Sequence, residues 1–136
     1  MADLLICVEG SASDDDERAC RECFEALHQR QWTYPPAFVE QLDEIAVTAA
    51  GDLPVVRTVG VVVALPDPAE DVDEEAVRAD VTALVAAVST LARQAMIEFV
   101  VEYREETIGF LDGGPRDARV VASFLGTPTR LARRPW

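Results

Sequence analysis

At 136 residues and 14.8 kDa the chain has room for one ordinary hydrophobic core and not for two. Hydrophobic residues make up 49% and charged residues 27%, which excludes a disordered, collagen-like or disulfide-dense chain. Twelve basic residues against twenty-five acidic ones leave a net charge of −13, a field that repels phosphate backbones, so nucleic acid is not expected as a direct partner.

All twelve bases are Arg, and Lys and Asn are absent, a bias expected of a bacterial genome rich in G and C. The charge is uneven. Residues 1–112 carry 24 acids and 7 Arg, a net of −17, whereas residues 113–136 carry 1 acid and 5 Arg, a net of +4. The start, Met1-Ala2-Asp3, lacks the basic segment and cleavage site of a secretory signal. The longest apolar helical stretch, between Asp80 and Arg93, is too short to cross a bilayer. With only three cysteines, Cys7, Cys20 and Cys23, the expectation is a cytoplasmic chain with reduced thiols and no membrane partner.

Leu4 to Val8 is apolar at every position, the pattern of a central strand covered on both sides. Ser13 followed by Asp14, Asp15, Asp16 and Glu17 is a helix start, an N-cap hydroxyl and then carboxylates at the positive end of the backbone dipole. Ala19, Cys20, Cys23, Phe24 and Leu27 continue that helix to about Arg30. Trp32 to Pro36 breaks it. Pro36 can open a second helix, for which Phe38, Leu42, Ile45 and Ala49 supply an apolar stripe.

Val55 to Leu65, β-branched and bounded by Pro54, Pro66 and Pro68, reads as a second buried strand. A long third helix follows Asp71, Asp73, Glu74 and Glu75, with Val77, Val81, Leu84, Val85, Val88, Leu91 and Ala95 at helical intervals. Ile97 to Tyr103 and Thr107 to Leu111 form a hairpin turned by Arg104, Glu105 and Glu106, and Arg119 to Leu125 reads as a last strand. The expected fold is α/β (α+β): a single domain over residues 1–126, with elements β-α-α-β-α-β-β-β. Its five-stranded sheet is mixed, with parallel pairing from the crossovers and helices mainly on one face. Residues 127–136 form a basic tail rich in Pro and Arg.

Cys20 and Cys23 form a C-x-x-C, and with Cys7 and His28 they would complete a four-ligand zinc set on paper. The pair, however, falls on the apolar stripe with Phe24 and Leu27, well inside the helix, which favours core cysteines. His28 is the only histidine, late in an acidic helix, and Ser11 and Ser13 lack the glycines of a nucleophile elbow. The turn Glu9-Gly10-Ser11-Ala12 lies where nucleotide-binding folds hold phosphate, but three aspartates follow it and no glycine-rich motif is present. The clusters Asp14–Asp16 and Asp71–Glu75 do not match a calcium loop, and Glu98 and Glu102 are about 13 Å apart along a strand, too far for a glycosidase pair. No catalytic, cofactor-binding or metal-binding set is expected.

What remains is surplus negative charge beside an aromatic stretch. The residues expected to bind a partner are Trp32, Tyr34, Phe38, Glu40, Asp43, Glu44, Glu102, Glu105 and Glu106. The expected function is non-catalytic binding of a basic protein by an acidic surface, most concretely as an immunity-type inhibitor of a bacterial toxin or conflict-system enzyme. The alternative is a small-molecule-binding or enzymatic domain with a pocket between helices and sheet near Tyr103, His28 and Glu102, an architecture compatible with a homodimer.

Overall fold

The structure, a computed structural model, describes residues 2–44, 55–66 and 74–126. Eight elements follow one another: β1 (Ala2–Val8), α1 (Asp14–Leu27), β2 (Ala37–Glu44), β3 (Val55–Leu65), α2 (Glu74–Ala95), β4 (Phe99–Tyr103), β5 (Glu106–Leu111) and α3 (Asp117–Gly126). The class is α/β as expected, and among the described residues five strands form one sheet with three helices packed against it.

Two elements exchange type. The stretch expected to form a second helix from Pro36 is instead strand β2, and the part of that helix beyond Glu44 lies outside the described residues. Phe38 and Leu42 are four apart, a spacing that satisfies both a helical stripe and one side of a strand. The long β-branched strand β3 decides between them. It needs a partner, and β2 pairs with it from Ala37↔Val62 to Glu44↔Val55. The expected last strand, Arg119–Leu125, is helix α3. Val120 and Phe124, also four apart, are buried, and Phe124 stacks edge-on against Tyr103 at 4.8 Å.

Strand order is β2-β3-β1-β4-β5, and every neighbouring pair is antiparallel, so the expected mixed sheet is corrected. The crossovers do leave β1 parallel to β2 and β3 parallel to β4. Each parallel pair, however, is split by a strand inserted between its members, the β-α-β-β-α-β arrangement of ferredoxin-like domains, here extended by β5 and α3.

The core lies between the sheet and the helices. Leu4, Ile6 and Val8 of β1, Val59, Val61, Val63 and Leu65 of β3, and Phe99, Val101 and Tyr103 of β4 face the buried stripe Val77, Val81, Leu84, Val85 and Val88 of α2. Ser13 caps α1 as its sequence implies: the Asp16 amide donates to Ser13 Oγ at 3.0 Å, and the Ser13 amide donates to Asp16 Oδ2 at 3.1 Å. Asp80, a buried acid within the apolar stripe of α2, accepts from Arg30 Nη1 at 2.8 Å and from the Tyr34 amide at 2.7 Å, tying the α1–β2 connection to α2.

The β4–β5 turn is made by Arg104 and Glu105 at φ 55° and 69°, left-handed backbone at two consecutive non-glycine residues. A two-residue hairpin of this hand favours glycine there. Glu105→Gly is therefore expected to stabilise the fold by about 1 kcal/mol, read as a raised urea midpoint at unchanged slope. An unchanged or lowered midpoint contradicts that reading of the turn.

Candidate functional site

Strand alternation sends a second set of side chains to the face away from the helices, and no described helix packs there. Register across the sheet aligns Val39, Gly60, Cys7, Val100 and Phe110 in one row and Ala37, Val62, Leu5, Glu102 and Thr107 in the next. Four strand spacings make these rows about 19 Å wide. Leu5, Val39, Val62 and Val100 are half-buried, Cys7 is buried, and Phe110 is 50% exposed at the β5 end. The result is a flat apolar centre.

Its rim is acidic around β1 and β4. Asp3 lies opposite Ala64, and Glu98 and Glu102 flank Val100 along β4. The Glu9 amide donates to the Glu98 carbonyl at 2.8 Å, which brings the ends of β1 and β4 together. Burial pushes the Cys7 thiol up to about 11, and the charges of Glu102 and Glu9 push it the same way. Arg57 pairs across from Leu42 on the helix side, and Arg104 lies over the Tyr103 ring at 5.4 Å, while at the β5 edge Arg116 and Arg119 line a depression together with Glu98 and Phe110.

Of the residues expected to bind a partner, Glu102 belongs to this face. Trp32, Tyr34 and Phe38 are half-buried as a lid on the core. Trp32 Nε1 donates to the Leu27 carbonyl at 2.8 Å, and Phe38 packs against Phe24 at 5.7 Å under the Arg21 guanidinium. Glu40 sits on the helix side between Arg21 and Arg57, and Arg57 reaches Asp14 at 2.6 Å, a surface network whose pairs contribute modestly. Asp43 and Glu44 end β2 opposite Val56 and Val55. Glu105 lies in the hairpin turn and Glu106 begins β5, the far edge of the sheet from β2. Strand order therefore divides the expected set between two edges. Asp3, Glu9, Leu5, Val39, Val62, Val100 and Phe110, which do converge, were not singled out because their sharing of a face depends on that order.

The thiols are shielded. Cys20 is buried on the helix side, with its thiol pushed up to about 12 by burial first and then by Cys23, Asp16 and Glu17; burial also raises Cys23. Cys7 faces the other side of the sheet, and His28, exposed at the α1 cap, lies edge-on to Phe24 at 4.6 Å. Among the described residues no three His, Cys, Asp or Glu side chains gather as metal ligands. Because the folded values of Cys7 and Cys20 exceed the ordinary 9.0, the stability from keeping them protonated is complete below about pH 9 and is lost as pH rises towards 11 and 12. A disulfide reagent at pH 8 is expected to modify none of the three thiols quickly in native protein and all three in denaturant. Rapid native reaction of Cys20 and Cys23 would restore the redox reading.

The turn after β1 has spent its backbone on the sheet. The Ala12 amide donates to the Arg57 carbonyl at 2.9 Å, and the Arg57 amide donates to Ser11 Oγ at 3.0 Å, while Ser13 caps α1. Tyr103, His28 and Glu102 do not share a pocket: Tyr103 is in the core, Glu102 on the opposite face of the same strand, and His28 on the surface. A cleft of about 1030 Å³ lies instead between α2 and α3.

No helix among the described residues is long and apolar enough to cross a membrane. No protein-family model matches the chain, and no curated protein or solved structure matches it significantly.

Proposed function

We propose that the protein is a non-catalytic binding module that docks a basic partner protein on the open face of its sheet, most concretely as an inhibitor of the immunity type. One observation carries this reading: the face has the anatomy of a protein interface, an apolar centre about 19 Å across with Asp3, Glu9, Glu98 and Glu102 around β1 and β4, and Arg116 and Arg119 only at the β5 edge. Phe110 offers an exposed aromatic anchor, and Asp3, Glu9, Glu98 and Glu102 provide the field that speeds encounter with a cationic surface. The same rim opposes a second copy of this chain, because pairing two such faces sets carboxylate against carboxylate.

Affinity capture from the native host, with wild type and with Glu98→Lys/Glu102→Lys, tests the proposal. A basic protein is expected on the wild type, released as salt rises and bound more slowly by the double variant. Capture that is indifferent to both salt and charge reversal overturns it.

A further inference from the structure

The cleft between α2 and α3 lies on the helix side, away from the open sheet face, and differs from that face in charge. Along α2 its lining runs from Arg78 through Val85 and Ala86 to Arg93, and Val121 and Ala122 of α3 form the other wall. Fifteen residues of helix separate the two arginines by about 22 Å. Both are exposed, and neither makes an ion pair with a described residue.

The one carboxylate in the lining, Asp117, is 5% exposed and already saturated. Ser89 Oγ donates to its Oδ2 at 2.5 Å, the Gly113 amide to Oδ2 at 2.7 Å and the Asp112 amide to Oδ1 at 3.1 Å. These bonds staple the loop before α3 to α2. Gly113, at φ 85°, lies so close to Arg93 that a Cβ there would sit 2.6 Å from the Arg93 Cα, so the end of the cleft is fixed in shape. Glu74 and Glu75 stand one turn before Arg78, and Asp112 is paired with Arg116 at 3.6 Å.

An apolar trough about as long as a linear acyl chain, with an exposed guanidinium at each end that makes no ion pair with a described residue, suits a ligand by charge and shape. We infer that the α2–α3 cleft binds an amphipathic organic anion, an acyl chain ending in a carboxylate, whose chain lies along Val85, Ala86 and Val121 and whose head group meets Arg93 or Arg78.

Nuclear magnetic resonance titration of the full chain with dodecanoate, below its micelle concentration, tests this. Dodecan-1-ol serves as the neutral probe and vesicles of mixed phosphatidylcholine and phosphatidylglycerol as the membrane probe. Saturable shifts confined to residues 82–93 and 113–122 are expected, at least tenfold weaker for dodecanol. Affinity should fall at least tenfold in Arg78→Gln/Arg93→Gln and vanish in Ala86→Trp, which fills the trough from an exposed helix position; thermal melting establishes that each variant is folded. The inference is overturned if dodecanol binds equally well, if the arginine variant binds as wild type, if the shifts fall on the open sheet face, or if only vesicles bind.

Discussion

Replacing Phe110 with alanine is expected to weaken partner binding 30- to 100-fold, about 2–3 kcal/mol, while leaving the fold intact. The side chain is half exposed at the end of the row Val39, Gly60, Cys7, Val100, Phe110, so its removal leaves no core cavity. Its loss removes the largest ring from the apolar centre and exposes Val100 to water, the kind of change that concentrates binding energy in a few aromatic residues. Glu22→Lys on the solvent face of α1 reverses the same charge away from the sheet and is expected to change affinity by less than threefold, because screening weakens surface charges beyond about a Debye length. Calorimetry or surface plasmon resonance with the captured partner checks both. If Glu22→Lys cost more than Phe110→Ala, the interface would belong to α1.

The second large effect concerns the scaffold of that face. A Cβ on Gly60 would lie 2.0 Å from the Ile6 carbonyl oxygen and 2.6 Å from the Cys7 Cα, backbone atoms that cannot swing aside as a side chain can. Gly60 pairs with Cys7 at the centre of the sheet, so β1 and β3 would have to part. Gly60→Ala is therefore expected to cost at least about 3 kcal/mol, a large part of the stability of a domain this size. Urea denaturation followed by circular dichroism measures it, and a loss below about 1 kcal/mol would mean that the β1–β3 backbone yields. Gly60→Ser should behave the same way, since the clash is with the Cβ.

How much of this was legible in sequence depended on the range of the signal. Ser13 with Asp14–Glu17 marked α1 because a cap and its first turn are local chemistry. The β-branched run Val55–Leu65 and the stripe Val77–Val88 were equally plain. Phe38/Leu42 misled because a spacing of four fits two periods, and the choice was made by a distant partner, β3; in Arg119–Leu125 the spacing of Val120 and Phe124 likewise fits both periods, and Phe124 packs on the Tyr103 ring as part of a helix. Asp117 was a usable sign of α3, an acid at a helix start after Gly-Gly-Pro-Arg. Asp80, a lone acid in the stripe of α2, likewise marked a buried partner that the helical pattern alone passed over.

The site was less legible than the fold. Glu98 and Glu102 were seen to share a strand face, but their company there, Glu9 and Asp3 from β1 with Val39 from β2, depends on strands inserted out of chain order. Surplus acid counted along the chain therefore grouped Glu40 with Glu106, which the sheet holds at opposite edges.

Methyl cross-saturation from the protonated partner to the deuterated, methyl-labelled protein locates the interface most directly. The account predicts that the methyls of Leu5, Val39, Val62 and Val100 lose intensity while those of Val121 and Ala122 on α3 do not. Attenuation confined to the helices, with the four sheet methyls untouched, would contradict it.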